Sequence, residues 1–424
     1  IKQTVFLKKP EDILAEFYQR LETIPDKHDK VRAMIDFVVT YGDSLGSIIL
    51  PLFDLGIKIS KEIGYSGAEV IFYYNLLFFK GIAQGEMNSP HFDTMPSMPE
   101  MAEIINKDDE WNAMGKNQLA FFHWFKGEYE IAFDMIFEAL KFSEKRKNIS
   151  TAWNYFAVAV FYFDTKDFEN SALYYQKSFD LFEILKYDYG RARTMNGLAS
   201  IAIIQNRTND ALPMLEFSAD IYRSYSHYSG LSRSLNDMGM LFKAERNYDK
   251  AVELLTESAE LRKEIGHSQG LITTCTELGE VYLCRKEHTL ALVQFEKGLE
   301  LALKTKTQQK QIRLYKLFYD TYKDLGNNEL ALKNFEAFFD VKSQLLSDEA
   351  NNNMKRIQTK YEKEKSEKEA EMERQKNIEL AKANTIIEQK NKDITDSINY
   401  AKRIQLSLLP TEKYIDKTLN RLKK

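Results

Sequence analysis

Residues 235–259 read LNDMGMLFKAERNYDKAVELLTESA, and this stretch decides the fold. Leu235, Met238, Gly239 and Phe242 fall at i, i+3, i+4 and i+7, the spacing of one face of an α-helix. A polar break, Arg246-Asn247-Tyr248-Asp249, follows, and Ala251, Leu255 and Ala259 then resume helical spacing. Two amphipathic helices joined by a short turn satisfy this pattern. Working outward, Gly190, Gly230 and Gly270 lie 40 residues apart, and the same step links Ser171, Ala211, Ala251, Ala291 and Ala331. A fixed period of that size predicts a stacked array of helical hairpins. Its small residues mark close helix approaches, and large ones such as Phe295, Phe318 and Phe335 fill the gaps between them.

The Gly or Ala early in the first helix, the aromatic three residues later and the Ala opening the second resemble the tetratricopeptide repeat. The period of 40 exceeds the common 34, which lengthens both helices. The resemblance covers residues 111–343, including an early unit with Leu119, Ala120, Gly127, Ala132, Ile136 and Ala139. Upstream it decays. Lys61-Glu62-Ile63-Gly64 echoes Lys263-Glu264-Ile265-Gly266, so residues 1–85 are expected to form a degenerate helical region. Residues 86–110 are expected to be a loop and connecting segment, because Asn88, Ser89, Pro90, Pro96 and Pro99 crowd there.

Composition narrows the function. Only eight prolines occur in 424 residues, and beyond residue 100 only Pro213 and Pro410, so the chain is expected to be all-α. A net charge of -4 supplies no basic field, which argues against nucleic acid. The longest apolar run, near Ser47 to Ile57, is interrupted by Pro51 and Asp54, so no membrane span is expected. Cys275 and Cys284 match no zinc or redox spacing, and the six histidines form no metal-ligand motif. There is no phosphate loop and no nucleophile elbow. We expect no catalytic residue, metal site or cofactor in these residues, and a cytoplasmic location.

A superhelix of hairpins lines its concave wall with the first helix of each pair. The candidate ligand groove is therefore Arg193, Arg233 and Arg313, together with Asn117, Asn196 and Asn236, which recur at matching phases. In the resembled family, Arg and Asn at these phases often hold a peptide. Amides pair with peptide backbone and guanidinium forks bind carboxylates. The alternative is a solvated face.

After Ser343 the composition changes. Residues 341–424 carry a charge of +5, against -9 for residues 1–340, and aromatics nearly vanish. Asn377, Asn384 and Asn391 are seven apart, as are Leu380, Ile387 and Ile394, each three residues further on. Asparagines at a and aliphatics at d, continued by Ile398 at a and Ala401 at d, give a heptad seam. Paired amides at a favour two parallel strands, so residues 344–410 are expected to form a coiled-coil signalling helix in a parallel homodimer. An inert spacer is the bland alternative.

Residues 394–410 run Ile394-Thr395-Asp396-Ser397-Ile398-Asn399-Tyr400-Ala401-Lys402-Arg403-Ile404-Gln405, then Leu408-Leu409-Pro410. This run resembles the helical linker before the catalytic domain of SpoIIE-like, metal-dependent serine/threonine phosphatases, with Tyr400, Arg403, Ile404 and Gln405 in its core. Leu406-Ser407 departs from the acidic residue and Ala often found there. The resemblance implies that residues 411–424 begin the linker to a catalytic domain, absent from this sequence, which would use Mn or Mg to dephosphorylate a protein. It also implies a sensor region that binds a protein or peptide. The alternative is a stand-alone tetratricopeptide receptor or scaffold that sequesters a signalling protein. A histidine kinase is disfavoured because the tail has no histidine.

Overall fold

The computed structural model describes residues 7–77, 96–107, 111–125, 127–408 and 412–422. Among the described residues the chain is all-α, with eighteen α-helices, one short 3-10 turn and no strand. It divides into two units, residues 1–342 and 343–424.

The first unit opens with a helical bundle: α1 (Pro10–Glu22), α2 (Lys27–Tyr41), the 3-10 turn Gly46–Ile49, α3 (Leu50–Glu62), α4 (Ser66–Leu77) and α5 (Met98–Lys107). Val31, Met34, Ile35, Ile49, Leu52, Ile71 and Phe72 are sealed in its core. Helix α5 corrects the expectation of a loop and connecting segment over residues 86–110. Pro99 sits in the first turn of α5, where a missing N–H costs nothing. Ser97 and Glu100 form a capping box, with Ser97 N–H donating to Glu100 Oε2 at 2.8 Å and Glu100 N–H to Ser97 Oγ at 3.4 Å. The rest of the expected loop, residues 86–95 and 108–110, lies outside the described residues.

Six hairpins follow. Their first helices are α6 (Asn112–Phe125), α8 (Ile149–Asp164), α10 (Asp188–Ile204), α12 (Tyr228–Ala244), α14 (Ser268–Cys284) and α16 (Gln308–Asp324). Their second helices are α7 (Tyr129–Ser143), α9 (Phe168–Ile184), α11 (Thr208–Ser224), α13 (Tyr248–Glu264), α15 (His288–Lys304) and the start of α17 (Asn328–Leu408). From Lys166 to Gly326 the turn between helices falls every 20 residues, each time on a residue with φ between +51° and +72°. Two of these are glycines; the others are Lys, Arg, Ser or Asn held in the left-handed region by the turn's own hydrogen bonds.

The 40-residue step is a packing step. Ser171, Ala211, Ala251 and Ala291 are fully buried and Ala331 nearly so. A Cβ at Gly279 would stand 2.4 Å from the Phe295 ring, and one at Gly239 2.8 Å from Leu255 Cγ, so the helices of each pair meet where no side chain fits. A second ladder shares the period. Ser178, Ser218 and Ser258 donate to the carbonyls of Ala152, Ala192 and Ser232 at 2.8, 3.0 and 2.7 Å, stitching each second helix to its partner.

The second unit holds the rest of α17 and α18 (Glu412–Leu422). Here Leu380, Ile387, Ile394 and Ile398 are each more than half exposed, as are Tyr400, Leu406 and Leu408. No described residue covers this aliphatic row.

Candidate ligand cavity and inner wall

The bundle docks onto the repeats through the inter-helix turns. Thr40 Oγ1 and Tyr187 OH are 2.9 Å apart, Lys8 N–H donates to Ser226 Oγ at 2.9 Å, and Ser229 N–H donates to Ser44 Oγ at 3.3 Å. His227, the N-cap of α12, is the centre of this contact. Its Nδ1 accepts from Gly230 N–H at 2.9 Å, so Nε2 carries the proton and donates to the Thr40 carbonyl at 2.7 Å. Burial pushes the imidazole pKa down, and the ring stays neutral.

Behind this contact the bundle and repeats line an open cavity of about 500 Å³. Val39, Phe53 and Tyr74 wall one side, and Phe121, Trp153 and Phe156 face them from α6 and α8. The polar end belongs to Arg193 of α10, Arg233 of α12 and Asp43 of the turn after α2. Burial pushes the Asp43 carboxyl up, but the Arg193 and Arg233 guanidiniums, with a 3.0 Å hydrogen bond from Ser229 Oγ, hold it below the usual carboxylate range. The Arg193 guanidinium lies 5.4 Å from the Phe156 ring centroid, a cation–π contact.

Four of the six groove residues read from the sequence, Arg193, Arg233, Asn117 and Asn196, line this cavity. The asparagines also join neighbouring repeats. Asn117 Nδ2 donates to Asn154 Oδ1 at 2.9 Å, and Asn196 Oδ1 accepts from Ser234 Oγ at 3.1 Å. Asn236 lies outside the cavity, 4% exposed, where its Oδ1 accepts from Thr274 Oγ1 at 2.8 Å and Arg262 Nη1 at 3.2 Å. Arg313 is further along. Its Nη2 pairs with Glu280 Oε1 at 2.5 Å, while Glu280 Oε2 accepts from Lys243 Nζ at 2.6 Å, so one carboxylate ties α12, α14 and α16.

Sequence reasoning missed the bundle's share of the site, Asp43, Phe53 and Tyr74, because none of them occupies a repeat position, and Asp43 meets Ser229 from 186 residues away. Of the three tryptophans, read as packing residues, Trp111 and Trp124 are buried, Trp124 stacking on Phe161 with centroids 4.2 Å apart, and Trp153 is half-buried in the cavity wall. Of the two thiols, expected on opposite sides of one helix, Cys275 of α14 is buried and Cys284 exposed. Among the described residues, no group of three His, Cys, Asp or Glu could hold a metal, and no helix is long and apolar enough to cross a membrane.

Residues 190–264 and 230–304 match the family model described as tetratricopeptide repeat. The hairpins within residues 190–304 are tetratricopeptide repeats, and the solenoid that continues them is tetratricopeptide-like. Among solved structures, similarity extends to the signal-transduction ATPase with numerous domains and a tetratricopeptide repeat sensor from Pyrococcus horikoshii. It is 14% identical over 76% of this chain and 50% of that one, with a TM-score of 0.51. A Rap protein complexed with competence and sporulation factor is 13% identical over 80% of this chain and 99% of that one, TM-score 0.49. BtubC from P. vanneervenii is 15% identical over 50% of this chain and 87% of that one, TM-score 0.43. No curated protein matches the sequence. At such identities the likeness to the tetratricopeptide repeat sensor speaks to the fold, a hairpin solenoid.

Proposed function

We propose that this chain is the sensory and dimerising region of a SpoIIE-like protein serine/threonine phosphatase. The tetratricopeptide repeats capture a protein or peptide on the inner wall at Arg193 and Arg233. The second unit pairs with a second copy in parallel through Leu380, Ile387, Ile394 and Ile398, with Asn377, Asn384 and Asn391 setting register. Tyr400, Arg403, Ile404 and Gln405 pass the change to a catalytic domain that would follow residue 424 and use Mn or Mg.

The observation that carries this reading is the exposed aliphatic row on α17, in steps of seven, beside the linker-like run 394–410. Four aliphatic side chains more than half exposed on one helix are a surface that a second helix covers. Any captured ligand must favour one packing of the pair over the other, since equal affinity for both shifts nothing. The test is capture of binding partners by the full chain, identified by mass spectrometry, against an Arg193→Ala plus Arg233→Ala variant that retains its helical circular dichroism. Loss of a partner in the variant supports the reading; an identical partner set rejects it. In protein extended through the following domain, Asn391→Leu should change phosphatase activity while preserving the dimer.

A further inference from the structure

We propose that the cavity is a binding site, built jointly by the N-terminal bundle and the repeats, for a compact ligand carrying one carboxylate on an aromatic or branched apolar body. The inference rests on the reading of the inner wall as a receptor surface and names the chemistry received at its Arg193 end.

Size, wall and charge each select the same ligand. A cavity of about 500 Å³ lies within the range of ligand pockets. The apolar wall residues are Val39, Phe53, Phe121, Trp153 and Phe156, the last lying against the Arg193 guanidinium, and they suit a flat or branched apolar body. At the polar end two guanidiniums, Arg193 and Arg233, face one carboxylate, Asp43. His227 adds no charge, because both its nitrogens are committed, Nδ1 to Gly230 N–H and Nε2–H to the Thr40 carbonyl. Asp237, which also interacts with Arg233, is not part of the lining, so among the lining residues two guanidiniums stand against one carboxylate, a surplus that suits an anionic group.

The wall also contains polar atoms with no partner. Arg193 Nε, Trp153 Nε1 and Gln118 Oε1 are buried and make no hydrogen bond among the described residues, and all three residues line the cavity. Unsatisfied buried donors and acceptors are costly, and a polar ligand reached by small side-chain shifts would satisfy them. A carboxylate suits the guanidinium fork of Arg193, and Asp43 shows that this end of the cavity already accommodates a carboxylate. The same chemistry has two sources: the C-terminus of a peptide, or a free organic acid.

The experiment titrates the full chain with N-acetylphenylalanine and with N-acetylphenylalaninamide, by calorimetry and by tryptophan fluorescence with Trp153→Phe as the control. The acid should bind at least tenfold more tightly than the amide. Arg233→Gln, which alters an exposed guanidinium and leaves the packing intact, should weaken the acid at least fivefold and leave the amide unchanged. Asp43→Asn should tighten the acid, having removed the internal carboxylate. A tetrapeptide ending in phenylalanine with a free C-terminus separates the sources: competition with the acid identifies a peptide tail, and failure to compete, with the small acid still bound, identifies a free acid. Equal binding of acid and amide, no binding of either at low millimolar concentration, or an affinity indifferent to Arg233→Gln would overturn the proposal. If partner capture depends on Arg193 and Arg233 while neither probe binds, the receptor reading stands and this inference falls.

Discussion

His227 donates its Nε2–H to the carbonyl of Thr40, 187 residues earlier, at 2.7 Å. Through this bond the first cap of α12 also anchors the N-terminal bundle to the repeats. His227→Ala removes both this bond and the cap on Gly230 at a site only 1% exposed. Each lost bond costs about 1 kcal/mol and the cap a similar amount, so the variant should be destabilised by about 2–3 kcal/mol. Urea unfolding measures it. A change under about 0.5 kcal/mol, as for an ordinary surface site, would show that the contact does not hold the bundle.

The second histidine at an inter-repeat turn gives a pH prediction. Burial, helped by the Arg262 guanidinium, lowers the His267 pKa from 6.5 to about 4. The folded value lies below the unfolded one, so the neutral ring stabilises the fold above pH 6.5 and this contribution is lost as the pH falls toward about 4. Compared with His267→Asn, the wild type should lose about 1.4 kcal/mol for each pH unit in that window. Urea midpoints of both proteins from pH 7 to 4 test the slope. Parallel curves would contradict it.

Two glycines separate packing from backbone strain. A Cβ at Gly279 meets the Phe295 ring at 2.4 Å, so Gly279→Ala should cost about 1–3 kcal/mol through overpacking. At Gly266 nothing lies within 4 Å, but φ is +67°. Gly266→Ala should therefore cost about 1–2 kcal/mol from the left-handed backbone alone. A Phe295→Leu background should relieve the first substitution and leave the second unchanged, as double-mutant unfolding would show.

The 40-residue serine ladder predicts a smaller, uniform effect. Ser218→Ala removes the hydrogen bond from its hydroxyl to the Ala192 carbonyl, 3.0 Å, from a fully buried position. The expected loss is about 1 kcal/mol, and Ser258→Ala should match it because Ser258 makes the same bond to Ser232. A loss in one variant without the other would show that the ladder is not a repeat property.

The repeats were legible because their packing recurs: Ala211, Ala251 and Ala291 fill one buried position, and the sequence prints that position every 40 residues. The turns were partly disguised, since Lys186, Asn206 and Arg246 adopt the left-handed conformation that glycine usually announces. Helix α5 was hidden by Pro99, although the Ser97 to Glu100 spacing carried its start signal. Phase singled out Arg193 and Arg233, which line the cavity, and Arg313, which does not. Asp43 and Phe53 were not, because docking of the bundle joins residues such as Asp43 and Ser229 that share no repeat position.

The two-stranded, parallel arrangement of α17 is tested most directly by a single cysteine at Ile387, placed in a Cys275→Ser, Cys284→Ser background and oxidised at tens of micromolar. A parallel seam with Ile387 at d predicts rapid formation of a disulfide between identical residues, in a particle whose light-scattering mass is that of two chains. A strictly monomeric mass, or a cysteine at Ile387 that links to one at Leu380 or Ile394 but never to its own copy, would contradict it.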